Sequence, residues 1–278
     1  MTRAGALRPV GRLLIYAVLI FFAAYYLMPV YMLLLTSAKP FEKVGVTQMW
    51  NLPTSVYLDN AIRAWPLVSA NFWNSVMITV PAAVISSFIG SLNGYVFAKW
   101  KFPYSNLVFM LILFGIFLPY QGILIPLVQL LTVIHLYGSV LGLIFVHCVF
   151  GMPITGLIFR SYFATVPSDL IDAAKIDGAG FFGIYYWIML PIAAPAFAVA
   201  LIWQFTNIWN DFLLGVVVLS NPSLAPMTVA INNIAGSFSI EWNLQMAAAV
   251  LAAAPTVLVY LFLGRLFMRG LLAGALKG

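Results

Sequence analysis

Charge is what this sequence has least of. Of 278 residues, 13 are Lys or Arg and seven are Asp or Glu, so 7% are charged and 64% are hydrophobic. A soluble domain of this length carries about a quarter charged residues. A chain this apolar cannot cover itself with polar groups in water, which places it in lipid. Cysteine is nearly absent. Cys148 stands alone in an apolar run, so no disulfide framework exists within the chain, and the residue reads as a small buried one. No second histidine or carboxylate stands at metal-ligand spacing from His147, His135 being twelve residues away, and there is no His-Glu-x-x-His; no metal ligand is assigned. His147 lies inside an apolar segment, where an ionisable group is either a polar contact within a helix bundle or a functional group. There is no Gly-x-x-x-x-Gly-Lys-Ser/Thr loop, so the chain cannot bind and hydrolyse ATP itself. No nucleophile–base pair stands at usable spacing, so no catalytic residue is assigned. The formal charge of +6 does not mark a nucleic-acid surface, because the bases are scattered among loops.

What is present is long apolar runs. Six segments approach or exceed the roughly 20 residues a helix needs to cross a bilayer: Leu13–Ser37, Asn71–Phe97, Ser105–Thr132, Ser139–Phe159, Met189–Leu219 and Leu244–Gly264. They are continuously apolar rather than alternating, which favours helices over a barrel. The expected fold is an all-α integral membrane protein with six transmembrane helices and one permease domain over residues 1–278. The first run is too long for a secretory signal and lacks Ala-x-Ala cleavage chemistry. With the N-terminus inside, ten of the 13 bases fall on the cytoplasmic side: Arg3, Arg8, Arg12, Lys99, Lys101, Arg160, Lys175, Arg265, Arg269 and Lys277. Lys39, Lys43 and Arg63 fall outside. That bias sets both termini in the cytoplasm, with residues 1–12 as a basic tail. Phe41–Ala70 becomes the largest external loop, suited either to packing across the bundle or to meeting an external protein.

One polar interval in the second half stands apart: Ser168–Pro195, carrying Asp169, Asp172 and Asp177. Ser168 can cap a helix, Asp169 and Asp172 suit its first turn, and Gly178 suits its end. The aromatic run of Phe181, Phe182, Tyr185, Tyr186 and Trp187 suits a membrane interface. The spacing Asp172-Ala173-Ala174, Gly178, Ile188, Leu190-Pro191 resembles the signature of permease subunits of ABC importers: Glu-Ala-Ala, three residues, Gly, nine residues, Ile, one residue, Leu-Pro. Every interval matches, with Asp172 in place of the usual Glu. The resemblance implies that residues 168–188 form a cytoplasmic coupling helix and loop between the fourth and fifth membrane helices. In that family the loop sits in a cleft of the ATPase.

Other stretches extend the resemblance from about residue 70 to the C-terminus. Asn74-Ser75 and Gly94-Tyr95-Val96-Phe97-Ala98-Lys99 are similar to the two ends of the second helix in sugar permeases of the maltose type. Trp209-Asn210-Asp211-Phe212 resembles their Trp-Asn-Asp/Glu-Phe motif. The ending Arg269-Gly270-Leu271 and Gly274-Ala275-Leu276-Lys277-Gly278 is similar to theirs, and Asn232-Asn233 resembles the glucose and mannose branch. From the residues themselves, Ser86, Ser87, Gly90, Ser91 and Gly94 recur at helical spacing and predict close helix packing. Pro119 and Pro126 must break or kink the third segment, making Pro119 and Gln121 candidates for the wall of a path. Gln204, Asn207 and Asp211 are spaced to share a helix face. Aromatics beside these amides and the carboxylate suit a sugar, with Asn210 adjacent; the same groups also suit a buried network that fixes a gate. Asn74, Pro119, Gln121, Gln204, Asn207, Asn210 and Asp211 are therefore the candidate substrate-path residues.

The resemblance implies a permease that moves a mono- or oligosaccharide inward by alternating access. It binds no cofactor itself, since ATP and Mg belong to a cytoplasmic ATPase dimer. It also implies a second homologous permease, an extracytoplasmic sugar-binding protein, and residence in the cytoplasmic (inner) membrane of a bacterium or archaeon. The rival reading is a stand-alone secondary transporter coupled to ions through Asp211 and His147. It does not account for the signature spacing, and no internal repeat of the kind common in such transporters is visible.

Overall fold

A computed structural model describes residues 9–45, 47–53, 57–234 and 241–275, with side chains described from residue 11 to 264 within those ranges. The basic-tail residues Arg3 and Arg8, the side chains of Arg265 and Arg269, and the ending at Leu276-Lys277-Gly278 lie outside them. All regular structure among the described residues is helical. In chain order the helices are α1 (Pro9–Ser37), α2 (Asp59–Lys99), α3 (Ser105–Phe114), α4 (Leu124–Val133), α5 (Val140–Ala164) and α6 (Asp169–Ile176). They continue with α7 (Phe181–Ile184), α8 (Leu190–Ile192), α9 (Ala194–Trp209), α10 (Leu213–Val218), α11 (Met227–Ile234) and α12 (Trp242–Ala275). Four are long and apolar enough to cross a membrane alone: α1, α2, α5 and α12. Two bent pairs, Ser105–Phe117 with Tyr120–Val133 and Phe181–Ile192 with Ala194–Trp209, raise the number to as many as six if each is one span.

The bends have local causes. Leu118 and Pro119 are extended (ψ 122° and 107°) between two 3-10 turns, Gly115–Phe117 and Tyr120–Ile123, and the helices on either side differ by 93°. The ring of Pro119 cannot continue a helix, so the break expected from the two prolines falls at the first of them. Pro126 is accommodated in the first turn of α4, where no N–H is required. The second pair is bent by 76° around Ala193, after a π-helical turn at Tyr185–Met189.

Two boundaries differ from the sequence reading. α2 begins at Asp59 rather than Asn71, so the second half of the expected external loop is helix. Asn60, Ala64 and Val68 are fully buried at i, i+4 and i+8, a helical stripe that the polar residues around it conceal. α12 runs to Ala275 rather than Gly264, with Pro255 inside it. Residues 181–188, expected in the loop, are helical and lead directly into Leu190–Ile192.

The chain divides into two compact units. The first comprises residues 1–67 and 231–251. Here a polar network holds the end of α1. Lys39, 2% exposed, donates from Nζ to the carbonyls of Gln48 (3.0 Å) and Met49 (2.8 Å). The Asn60 amide donates to the carbonyls of Ser37 and Lys39, and Asn243 donates to Asn60 Oδ1. The Asn60 bond to Ser37 satisfies a carbonyl that the end of α1 leaves open.

The second unit comprises residues 68–230 and 252–278. Its spine is the seam between α2 and α5. Thr155 Oγ1 donates to the Ser86 carbonyl (3.1 Å). A Cβ on Gly90 would lie 2.1 Å from Thr155 Oγ1, and one on Gly94 would lie 2.5 Å from Phe159 Cβ and 2.6 Å from the Arg160 nitrogen. The small-residue stripe is therefore a packing seam, as its spacing predicted. Gly94→Ala forces a methyl into backbone that cannot yield, a kind of overpacking that costs roughly 1–3 kcal/mol. Thermal unfolding of the purified protein in detergent should show a lowered Tm for Gly94→Ala and an unchanged Tm for Gly45→Ala, whose Cβ would meet nothing within 4 Å.

Candidate functional site

The signature segment is built on the end of the α2–α5 seam. α6 carries Asp169 and Asp172 in its first turn and Lys175 in its last, the arrangement its dipole favours. Ser168 does not cap it with its side chain. Instead, the Ser168 carbonyl accepts from the amides of Ile171 and Asp172. The helix stops at Gly178, whose φ of +83° is cheap only for glycine. A Cβ there would meet nothing within 4 Å, so the glycine serves the turn and not a crowded contact.

α6 has two faces. Ile171 (4% exposed) and Ala174 (7%) enter an apolar cluster with Tyr95, Phe159, Phe163, Ile184 and Met189. Burying an isoleucine side chain contributes roughly 1.5–3 kcal/mol, enough to hold an eight-residue helix in place. Asp172, Ala173 and Ile176 face outward, Ile176 at 87% exposed. Asp172 Oδ1 accepts from Lys175 Nζ (3.2 Å), and the same ammonium lies 5.5 Å from the centroid of the Trp100 ring. Both partners of that ion pair are half exposed or more, so it contributes little to stability.

Three further ties fix the segment. Lys99 donates to the Val166 carbonyl just before α6. Tyr95 Oη donates to the Phe181 carbonyl (3.3 Å). Ser91 and Tyr185 share a hydrogen bond. Of the remaining signature residues, Ile188 packs at the edge of the cluster, Leu190 is half-buried and Pro191 is exposed in the first turn of α8. The structure thus brings Asp172, Ala173, Ala174 and Gly178 into one short element, with Ile188, Leu190 and Pro191 on the helical stretch that follows it. Ile171 and Ile176 escape the signature. The cue for them was helical spacing: Ile171 and Ala174 stand at i, i+3 on one face, and Asp172 and Ile176 at i, i+4 on the other.

The candidate path residues do not form one group. α9 ends at Trp209, so Asp211 leaves the face that Gln204 and Asn207 were expected to share with it. Asp211 Oδ2 accepts from the Leu214 amide (3.1 Å), capping α10. The same oxygen lies 3.9 Å from His147 Nε2, with both side chains largely buried. His147 is therefore a polar contact within the bundle whose partner sits 64 residues away in sequence, beyond the reach of any spacing rule. Gln204 is 3% exposed, donates to Ser86 Oγ (2.8 Å) and fills the space beside Gly151, whose Cβ would fall 1.6 Å from Gln204 Nε2. Asn74 donates to the carbonyls of Ser223 (2.7 Å) and Ala225 (3.1 Å), and the neighbouring Ser75 accepts from the Met227 amide (2.8 Å). These three side chains tie helices and a loop together. Asn207, Asn210, Pro119 and Gln121 remain exposed. No cluster of three or more His, Cys, Asp or Glu capable of holding a metal occurs among the described residues.

A family model described as "Binding-protein-dependent transport system inner membrane component" matches residues 86–272, which spans both the signature segment and the α9–α10 break. A probable ABC transporter permease protein of Pyrococcus horikoshii is 43% identical over 268 residues, covering 96% of this chain and 98% of that protein. The xylose/arabinose import permease protein of Haloferax volcanii is 32% identical over 281 residues, with 92% and 90% covered. The fold resembles a chain in the crystal structure of a bacterial ABC transporter involved in import of the acidic polysaccharide alginate: TM-score 0.79, 18% identity, 96% of this chain and all of that chain covered. The chain belongs to the family of inner-membrane components of binding-protein-dependent transport systems, the permeases of ABC importers.

Proposed function

We propose that this chain is the permease of a carbohydrate importer, a single permease domain of six spans in which α6 is the coupling helix. Permeases of this family are not enzymes, and ATP is hydrolysed by a separate ATPase subunit. The observation that carries the coupling role is the division of α6: one face is locked into the bundle by Ile171 and Ala174, and the other presents Asp172, Ala173 and Ile176. A short helix held on one side and bare on the other suits a cleft in a partner. Closure of an ATPase dimer on ATP and Mg would push α6, and its apolar anchor would carry the push into α2, α5 and the α7–α9 stretch. Both termini lie in the cytoplasm on this reading, as the distribution of bases requires.

The sugar assignment draws on the relatives. The Haloferax protein is named for xylose and arabinose, the glucose import system permease protein of Saccharolobus solfataricus is 29% identical over 265 residues, and the arabinooligosaccharide permease of Bacillus subtilis is 30% identical over 259. A second permease and an extracytoplasmic sugar-binding protein complete the assembly. Gln204, Asn74 and Asp211 serve the path as its scaffold, keeping the helices and the 222–227 loop in register.

The assembly is tested by extracting the tagged chain from native membranes in mild detergent. A stoichiometric ATPase and a second permease should accompany it, and sugar with its binding protein should stimulate that ATPase. A lone chain that transports under an ion gradient would contradict the reading. Coupling is tested by Gly178→Asp. The added side chain projects into open space, and its positive φ costs roughly 1–2 kcal/mol, so the helix bundle should survive. A new carboxylate at the docking face is expected to leave assembly of the bundle intact and to lower uptake per ATP hydrolysed. Wild-type coupling in that variant would remove α6 from the mechanism.

A further inference from the structure

Along α9 and its C-terminal cap, one stripe has no packing partner among the described residues. Trp203 and Asn207 on α9 and Asn210, the residue that caps its C-terminus, stand at i, i+4 and i+7 on a single face. Trp203 is 51% exposed, and both asparagines are exposed. The opposite side is closed: Ile202, Gln204, Ile208 and Trp209 are buried, and Trp209 Nε1 donates to the Ala252 carbonyl (2.9 Å). Each exposed amide is turned the same way. Asn207 Nδ2 donates to the Trp203 carbonyl (2.9 Å) and Asn210 Nδ2 to the Thr206 carbonyl (2.8 Å). The donors are used within the helix, and the two Oδ1 acceptors carry no hydrogen bond from another described residue.

Hydrocarbon cannot satisfy such acceptors, so polar side chains within a membrane span face protein or water. Close packing against another helix favours small residues, which this stripe lacks at all three positions. An exposed indole face beside two unused carbonyl acceptors matches a molecule with an apolar ring face and hydroxyl donors. We infer that Trp203, Asn207 and Asn210 line the aqueous translocation path and contact carbohydrate: the sugar ring against the Trp203 indole, its hydroxyls donating to Asn207 Oδ1 and Asn210 Oδ1. The inference rests on the importer reading. It moves substrate contact away from Gln204 and Asp211, whose polar atoms are engaged in the scaffold, and adds Trp203.

The test uses the assembled complex in liposomes. The native Cys148 is buried, so background thiol reaction is low. Trp203→Cys, Asn207→Cys and Asn210→Cys are compared with Ile208→Cys in reaction with the membrane-impermeant sulfonatoethyl methanethiosulfonate, with and without ATP and vanadate. The three stripe positions should react roughly ten-fold or more faster than position 208 in at least one state, since buried thiols are inert. Reaction as slow as at 208 in both states overturns the inference. Asn207→Ala and Trp203→Ala should lower the maximal uptake of glucose, xylose or arabinose, whichever the wild type carries, while the subunit content of the complex stays unchanged. Loss of the second permease from these variants would make the stripe a subunit contact and overturn the inference while the importer reading stands. Fast labelling of the three cysteine variants, together with a wild-type complex that takes up no sugar, would overturn the importer reading and the carbohydrate assignment together, leaving only a water-lined face.

Discussion

Ile171 and Ala174 fasten α6 to the cluster formed by Tyr95, Phe159, Phe163, Ile184 and Met189, and the proposed mechanism depends on that contact. α6 is eight residues long, too short to be a stable helix in water on its own. Its order comes from the cluster. The cluster in turn depends on α2 and α5 meeting closely, which Gly90 and Gly94 permit and Thr155 and Phe159 enforce. Lys99, Tyr95 and Ser91 on α2 then reach Val166, Phe181 and Tyr185, so one end of α2 controls the entry to α6 and the exit from it.

Broken helices supply the second constraint. The α3–α4 break at Pro119 and the α9–α10 break at Asn210–Phe212 both leave backbone groups outside regular helix. At the latter, Asp211 meets the cost by capping α10, while Thr228 Oγ1 donates to the Asp211 carbonyl (2.8 Å). His147 stands beside the capping carboxylate. An intramembrane carboxylate and imidazole look, in sequence, like ion-coupling groups. In the structure Asp211 caps α10 and His147 stands beside that carboxylate, while Asn207 and Asn210 are exposed on the far side of α9.

Much of this was legible in the sequence, and the failures are instructive. Continuous apolar runs identified the membrane helices, because their composition needs no knowledge of partners. The spacing of Ser86, Gly90 and Gly94 identified the α2–α5 seam, and the motif around Asp172 and Gly178 identified the short helix and its stop. What the sequence concealed depended on contacts between distant residues. Helical spacing placed Gln204, Asn207 and Asp211 on one face, but the helix ends between the second and third of them. Ser168 is a good capping residue by type, yet its side chain is not used. Asn74 read as a path residue and proved to hold a loop 150 residues away. Polar residues at 59–63 hid the first turns of α2, since Asn60 is buried by its hydrogen bonds rather than by apolar character.

The most direct measurement is the number of sugars taken up per ATP hydrolysed by the reconstituted complex carrying Ile171→Ala. Truncating a buried isoleucine to alanine costs roughly 2–5 kcal/mol, here concentrated on the anchor of α6, while Ile171→Val keeps most of it. Stimulated ATPase activity with uptake per ATP reduced in Ile171→Ala and preserved in Ile171→Val is the predicted result. An unchanged ratio in the alanine variant would show that the anchored face of α6 does not transmit the motion.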